Sequence, residues 1–270
     1  MRPIAWLLPL ALPALAGCDL IKSATSTTIV SGLLIASPEV KQAGFYDVPS
    51  EVVATSWVGQ RESATSTKEP TPITGAQVSV QFGNATVTLK EQSGQPGVYV
   101  ASSVDSAALK YQPGSSYRFE AVTMSDMHGG DVDAPPQLAA SALTFNPALT
   151  SDPMLPDFKR HAKNAALSVS WPKDAGRYAY VTVLRANRAN PQSPTQVFDT
   201  RPKTSQEILN FIFGDPPASV DIPGTTFASD GLYAVVLVAV NKGSVDANTF
   251  AGSPILAGSG AASFFAVGAL

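Results

Sequence analysis

Ala76-Gln77-Val78-Ser79-Val80-Gln81-Phe82-Gly83-Asn84-Ala85-Thr86-Val87-Thr88-Leu89 decides how this chain is read. Ala76, Val78, Val80 and Phe82 alternate with polar partners, Gly83-Asn84 interrupts, and Ala85, Val87 and Leu89 alternate again. A period of two belongs to a strand with one face buried. Gly-Asn between two such runs suits a two-residue primed turn, which needs positive φ at residues that tolerate it. The stretch predicts a β-hairpin, and it sets the class for the runs on either side.

Upstream, residues 32–36 are apolar, and Val53, Thr55 and Trp57 alternate with Val52, Ala54 and Ser56 before a polar loop over 59–74. Downstream, a turn at 93–97 leads into Val98-Tyr99-Val100, and Tyr117, Phe119 and Ala121 fall on one face of a further strand. Pro147, Pro153 and Pro156 punctuate a weakly periodic stretch over 147–163, which reads as a connection between domains. Beyond it, Leu167, Val169 and Trp171 alternate, and strand-like runs cover 178–186, 196–198, 219–222, 231–241 and 261–267. Both faces are apolar over 232–240, so that strand is expected to be central and covered on both sides. Residues 204–214 break the pattern. Thr204 with Glu207 fits a capping box, Ile208, Phe211 and Ile212 form an apolar stripe, and Gly214 with Pro216 ends it, predicting a short helix. Its expected role is a plug over the end of a sandwich, the alternative being a stripe that binds a partner.

Two resemblances follow from these residues. Pro72-Ile73-Thr74-Gly75-Ala76-Gln77-Val78-Ser79-Val80, Gly97-Val98-Tyr99 and Gly114-Ser115-Ser116-Tyr117-Arg118-Phe119 together resemble the carboxypeptidase-regulatory-like and related prealbumin-type modules. That resemblance implies an immunoglobulin-like accessory domain without chemistry of its own over 31–146. The second half resembles a fibronectin type III module. Leu167-Ser168-Val169-Ser170-Trp171 sits where that family has its buried tryptophan, Tyr180-Val181-Thr182-Val183-Leu184-Arg185 resembles the next strand, and Gly231-Leu232-Tyr233 opens what resembles its tyrosine-bearing strand. The expected fold is all-β: two tandem immunoglobulin-like/fibronectin type III-like β-sandwiches at 31–146 and 164–270, joined by 147–163, with one short helix in the second.

At the start of the chain stands Leu15-Ala16-Gly17-Cys18, preceded by Arg2 and an apolar run from Ile4 to Leu15. This is the layout of a secretory signal peptide. The run is shorter than the roughly 20 apolar residues a membrane-spanning helix needs, and Pro9 and Pro13 interrupt it. The four residues resemble a bacterial lipobox, which implies cleavage after Gly17 and acylation of Cys18. Residues 1–17 are then the lipoprotein signal peptide and the Ser/Thr-rich 18–30 a lipidated tether, with an edge strand near Ile29 as the alternative for its end. Two or three acyl chains hold firmly where one is marginal. The implied partner is the lipid bilayer and the implied location the bacterial cell envelope, periplasmic or surface-exposed, in either leaflet.

Composition narrows the chemistry. Cys18 is the only cysteine, so the processed chain has no thiol for a disulfide, a metal site or a nucleophile. The net charge of -3 includes Arg2; without the leader the chain is more acidic, which argues against a nucleic-acid partner. The two histidines, His128 and His161, read as surface residues in a turn-like loop and in the connection, with no spacing for a metal pair. No Gly-x-Ser-x-Gly elbow appears, and no Ser-x-x-Lys with its companion motifs. Gly258-Ser259-Gly260 precedes a strand and so does not resemble a phosphate cradle.

One stretch invites a metal. Asp126, His128, Gly129, Gly130, Asp131 and Asp133 read as a turn-prone loop, and Asp126, Asp131 and Asp133 are candidate calcium ligands. Three local carboxylates fall short of the roughly 6 to 8 oxygens calcium takes, so a solvated turn is the stronger reading and no cofactor is expected. Lys159, Arg160, His161 and Lys163 form a basic cluster suited to anionic headgroups or polysaccharide, or to plain solvation. The expected function is non-enzymatic display, adhesion or assembly with an envelope protein or glycan partner. The alternative is a glycan- or peptide-binding accessory subunit of an envelope transport or degradation complex. Exposed aromatics around Trp57 would mark glycan binding, and a flat apolar edge would mark assembly.

Overall fold

Among the residues described by the computed structural model (26–42, 46–124, 126–152, 158–187, 193–203, 215 and 217–268) the chain is built of strands and one 3-10 turn, Gly224–Phe227. The strands are β1 (Thr28–Ser37), β2 (Val40–Gln42), β3 (Tyr46–Val48), β4 (Glu51–Gln60), β5 (Thr71–Pro72), β6 (Gln77–Phe82) and β7 (Ala85–Glu91). Next come β8 (Val98–Ser102), β9 (Ser116–Thr123), β10 (Asp126–Asp133), β11 (Thr144–Asn146), β12 (Thr150–Ser151), β13 (Lys159–His161) and β14 (Leu167–Ser170). The remainder are β15 (Tyr178–Arg185), β16 (Thr195–Asp199), β17 (Ser219–Ile222), β18 (Gly231–Lys242), β19 (Ser244–Val245) and β20 (Ile255–Val267). They group into two units. The described part of the first comprises 26–36, Glu51–Gln137 and Val240–Ser259, and the second takes the rest.

In the first unit the predicted hairpin forms in the expected register, with Val80 opposite Val87 and Phe82 opposite Ala85. Gly83 in the turn adopts φ 53°, the left-handed conformation the sequence anticipates. One layer runs β7-β6-β9-β10-β19, and the other runs β8-β4-β1 and on to 255–259 of β20. β7 serves both: after pairing with β6 it turns so that Lys90 faces Val100 of β8. Such a strand makes the corner of a sandwich. β1 lies between β4 and β20 and runs parallel to β20, from Gly32 opposite Ile255 to Ala36 opposite Ser259. The core gathers Val30, Leu34, Val58, Val78, Val80, Phe82, Tyr99, Tyr117, Phe119, Ile255 and Ala257. Each fully buried side chain of this size contributes about 1.5–3 kcal/mol. Gly32 makes room for Phe119, since a Cβ there would lie 2.4 Å from the ring's Cγ.

The second unit is a sandwich of one sheet β11-β14-β17 against another, β16-β15-β18 and 260–267 of β20. Setting aside the short pairs β2-β3 and β12-β13, the first, second and fifth of the remaining strands form one layer and the third, fourth, sixth and seventh the other. This is an immunoglobulin/fibronectin type III-like order. Between the layers lie Leu167, Val169, Trp171, Val181, Val183, Ile222, Tyr233, Val235, Leu237 and Phe265. β18 is central, between β15 and β20, and Val236 and Val238 on its other side are buried as well, as the two-faced apolar run requires.

Several expectations need correcting. The tether does not extend to residue 30: β1 begins at Thr28, and Ile29 and Val30 are buried. Nor is β1 an edge, because β20 and β4 flank it. Residues 147–163 are not a bare connection. β12 pairs with β13, His161 of β13 pairs with Val267, and Phe158, Asp152 and His161 are buried in the second unit. The two-domain division at that point fails for a second reason: residues 240–259 return to the first unit, where 255–259 lie beside β1 and 244–245 beside β10. Long-range pairing of this kind leaves no local signature in the sequence. The predicted helix at 204–214 lies outside the described residues.

One buried atom yields a prediction. Thr55 on β4 is 2% exposed, and its Oγ1 has no hydrogen-bond partner among the described residues. An unpaired buried hydroxyl costs about 1–3 kcal/mol, and valine has the same branched shape without it. Thr55→Val is therefore expected to raise the stability of the protein by about 1 kcal/mol, read as a higher urea midpoint at unchanged slope. A lowered midpoint would show that the hydroxyl is bonded.

Candidate functional site

The stretch read as a turn-prone, solvated loop with three candidate calcium ligands is a strand. β10 pairs with β9 along its whole length, from Asp126 opposite Thr123 to Asp133 opposite Ser116. Gly129 and Gly130 are there for close approach: an added Cβ would lie 2.2 Å from Phe119 O in the first case and 2.2 Å from Ser244 O in the second. Side chains alternate along a strand, so Asp126 and His128 share one side and Asp131 and Asp133 the other. Asp126 also lies about 17 Å along the strand from Asp131, at roughly 3.4 Å per residue. The three candidate carboxylates therefore do not converge. Among the described residues no group of three or more His, Cys, Asp or Glu side chains is arranged to hold a metal ion.

What β10 does assemble, with β9, is a clamp on the segment 246–249. Arg118 of β9 reaches across to Asp131 at 3.0 Å and to both oxygens of Asp246 at 2.5 and 3.2 Å, with Glu120 at 3.4 Å. Chiefly the hydrogen bonding it donates to Asp246, with the nearby charges of Asp246 and Asp131 and the bond it donates to Glu120, holds the guanidinium above its ordinary, already high range, against the opposing effect of burial. A guanidinium facing three carboxylates ties strands together; it is not offered to an anionic ligand. Beside it, His128 Nδ1 lies 2.7 Å from Asn248 O, Gly129 N donates to Thr249 Oγ1 at 2.8 Å, and Asp246 N donates to Gly129 O at 3.0 Å.

Both histidines depart from the surface reading. His128 is buried at that clamp. His161 is buried in the second unit, its Nε2 2.9 Å from Ala165 O and its ring edge-on to Phe227 and Phe265 at 4.7 and 5.9 Å. An imidazole buried with one ring nitrogen against a backbone carbonyl is part of the core packing and not a surface residue. The basic cluster is dispersed in the same way. Arg160 pairs with buried Asp152 and donates to Gly268 O at 2.6 Å, Lys163 pairs with Asp230 at 2.8 Å, and Lys159 reaches Ser151 Oγ at 3.1 Å.

Two further polar features complete the picture, the first without any signal in the sequence and the second marked there only by Tyr117 and Tyr233 on their strands. On β16, Asp199 is held by Arg201 Nε at 2.8 and 3.0 Å, and Arg201 also donates to Gln196 at 3.0 Å. Burial pushes the neighbouring Tyr180 hydroxyl well above its ordinary value, Arg201 opposing this and Asp199 adding to it. The second feature is a tyrosine in each unit that locks its own approach loop. Tyr117 Oη donates to Lys110 O and accepts from Gln112 N at 2.8 and 2.7 Å, and Tyr233 Oη donates to Ser229 O at 2.8 Å. This is the tyrosine-corner device of immunoglobulin-like sandwiches. A lone tyrosine at a strand start, after a turn, is the signal that finds it.

Trp57 is half-buried, its ring laid over Gly59, where a Cβ would lie 2.1 Å from it. Among the described residues the large exposed apolar side chains are Val104, Met124 and Met127, none of them aromatic. The aromatic cluster that would mark a glycan surface is therefore not seen there. Cys18 and the stripe Ile208, Phe211 and Ile212 lie outside the described residues.

No family model matches the chain, and no curated protein matches it. A solved structure of the FN1–FN3 domains of chicken CNTN1 is similar at 8% identity, covering 88% of this chain and 67% of that one, with a TM-score of 0.20. At that score the sheet order described above carries the assignment of fold.

Proposed function

We propose that this chain is a lipid-anchored protein of the bacterial cell envelope that works without catalysis, as a display, adhesion or assembly module facing an extracytoplasmic compartment. One observation supports the non-catalytic part: among the described residues, the histidines and the charged cluster singled out above are engaged by the fold. His128 and His161 are buried against backbone carbonyls, and Arg118, Asp131 and Asp246 are tied to one another. The anchor rests on Leu15-Ala16-Gly17-Cys18 behind its apolar leader. In this reading the second unit is a fibronectin type III-like module. The first is a carboxypeptidase-regulatory-like module enlarged by β1 and by residues 240–259.

The test is partition. Wild-type protein is expected in the detergent phase with acyl mass on Cys18, whereas Cys18→Ser should remain unlipidated, with its coupled processing blocked. Mature wild-type protein in the aqueous phase, without acyl mass, would remove the anchor. The non-catalytic part fails separately, if purified protein lacking the leader turns over an ester, peptide or glycan and a single fold-preserving Ser, Asp, Glu or His substitution abolishes that turnover.

A further inference from the structure

The chain enters the described structure at Ser26, and its first three residues there are held from both sides. Thr27 O accepts from Arg61 N at 2.9 Å, just past the end of β4, and Thr28 O accepts from Phe250 N at 2.7 Å, on the approach to β20. The side chains add to this. Thr28 Oγ1 bonds Gln60 Oε1 at 3.1 Å, Gln60 Nε2 bonds Thr27 Oγ1, and Ser26 Oγ bonds Asn248 O. The two flanks are themselves joined, because the Arg61 guanidinium lies 4.6 Å from the centre of the Phe250 ring. The entering strand thus passes through a closed collar made by Arg61 on one side and Phe250 on the other.

Immediately inside, β1 continues the grip. Val30 N donates to Ser253 Oγ at 3.3 Å and Gly32 N to Pro254 O at 2.8 Å, and from there β1 and β20 run parallel. Parallel direction matters. A pull on the upstream end of β1, opposed at the downstream end of β20, slides the two strands past each other, so their hydrogen bonds share the load. A hairpin pulled open at its end loses its bonds one at a time.

We propose that the collar at 26–28, with β1 seated between β20 and β4, is a load-bearing clamp that receives pull from the chain upstream. The source of that pull is the Cys18 anchor read above, on which the biological role rests; the mechanical property stands on this geometry alone. An envelope protein that holds a partner while fixed to a membrane is loaded along this line.

Forced unfolding is set by the unfolding rate under load, and the leaderless soluble chain beginning at Cys18 allows it to be measured. Its single thiol serves as one handle and a tag after Leu270 as the other. In the comparison chain, Cys18→Ser with Asn84→Cys moves the thiol to the tip of the β6–β7 turn. At equal constant force the Cys18-loaded chain is expected to survive at least about tenfold longer. Arg61→Ala opens the collar and Thr28→Val removes its bond to Gln60; each is expected to shorten the Cys18-loaded lifetime about threefold to tenfold, in line with the net loss of one modest interaction. Neither should move the Asn84-loaded lifetime by more than about twofold. Equal lifetimes in the two geometries would overturn the clamp, as would an early step at low force releasing β1 alone, or substitutions that shift both lifetimes together. No lipid is present in this measurement, so loss of the anchor reading leaves its outcome intact, and a lipidated Cys18 with equal lifetimes overturns the clamp only.

Discussion

A fragment ending at Asn146 is expected to remain unfolded, although the local pattern places a whole sandwich before that point. The first unit is completed by residues 240–259, which bring Ile255 and Ala257 into its core, set 255–259 beside β1 and place 244–245 beside β10. Without them β1 loses its parallel neighbour, and Val30 and Leu34 lose cover. At about 1.5–3 kcal/mol for each large side chain uncovered, a few such losses reach the 5–15 kcal/mol that holds a domain folded. The fragment should give narrow amide dispersion and no cooperative urea transition, and a peptide spanning 240–268 added in trans should restore both. A well-dispersed spectrum from the fragment alone would mean that the unit closes without its C-terminal strand.

Phe119→Ala should have the largest effect of any single substitution considered. The ring is fully buried, on the inward face of β9 between Tyr117 and Ala121, and it occupies the space left by the missing Cβ of Gly32. Deleting a buried phenylalanine costs about 3–5 kcal/mol. Gly32→Ala acts on the same contact from the other side and should cost about 1–3 kcal/mol by overpacking. Because the two positions share one volume, the double variant should lose at least about 1 kcal/mol less than the sum of the single ones. Urea melts of the four proteins decide this, and strict additivity would mean that ring and glycine do not compete for space.

The parts of the fold that were legible are those in which neighbours in sequence are neighbours in space. The hairpin at 76–89, the two-faced run of β18, Trp171 beside β14 and the inward row Tyr117, Phe119 and Ala121 were all readable from period and turn chemistry. β10 was not, because Asp, Gly and His have low strand propensity, and what favours Gly129 and Gly130 is the approach of backbone from Phe119 and Ser244. The same holds for the charges. Arg118 and Asp246 are 128 positions apart, and nothing near either residue announces the other. His128 and His161 were misread because isolated histidines in polar stretches look solvated, whereas each one's carbonyl partner lies in a neighbouring turn or a distant segment. The candidate site was therefore legible as a list of residues and illegible as an arrangement.

The separation of β1 from its parallel neighbour also sets an order of events at the ribosome. Val30 and Ser253 bond across 223 positions. At about 5–20 residues per second, roughly 10 to 45 s pass between synthesis of the first and arrival of the second. During that interval the first unit has no way to close, and an apolar strand near the start of the chain waits without its mate. For the whole of that interval β1 presents an apolar strand without its parallel neighbour, open to pairing elsewhere.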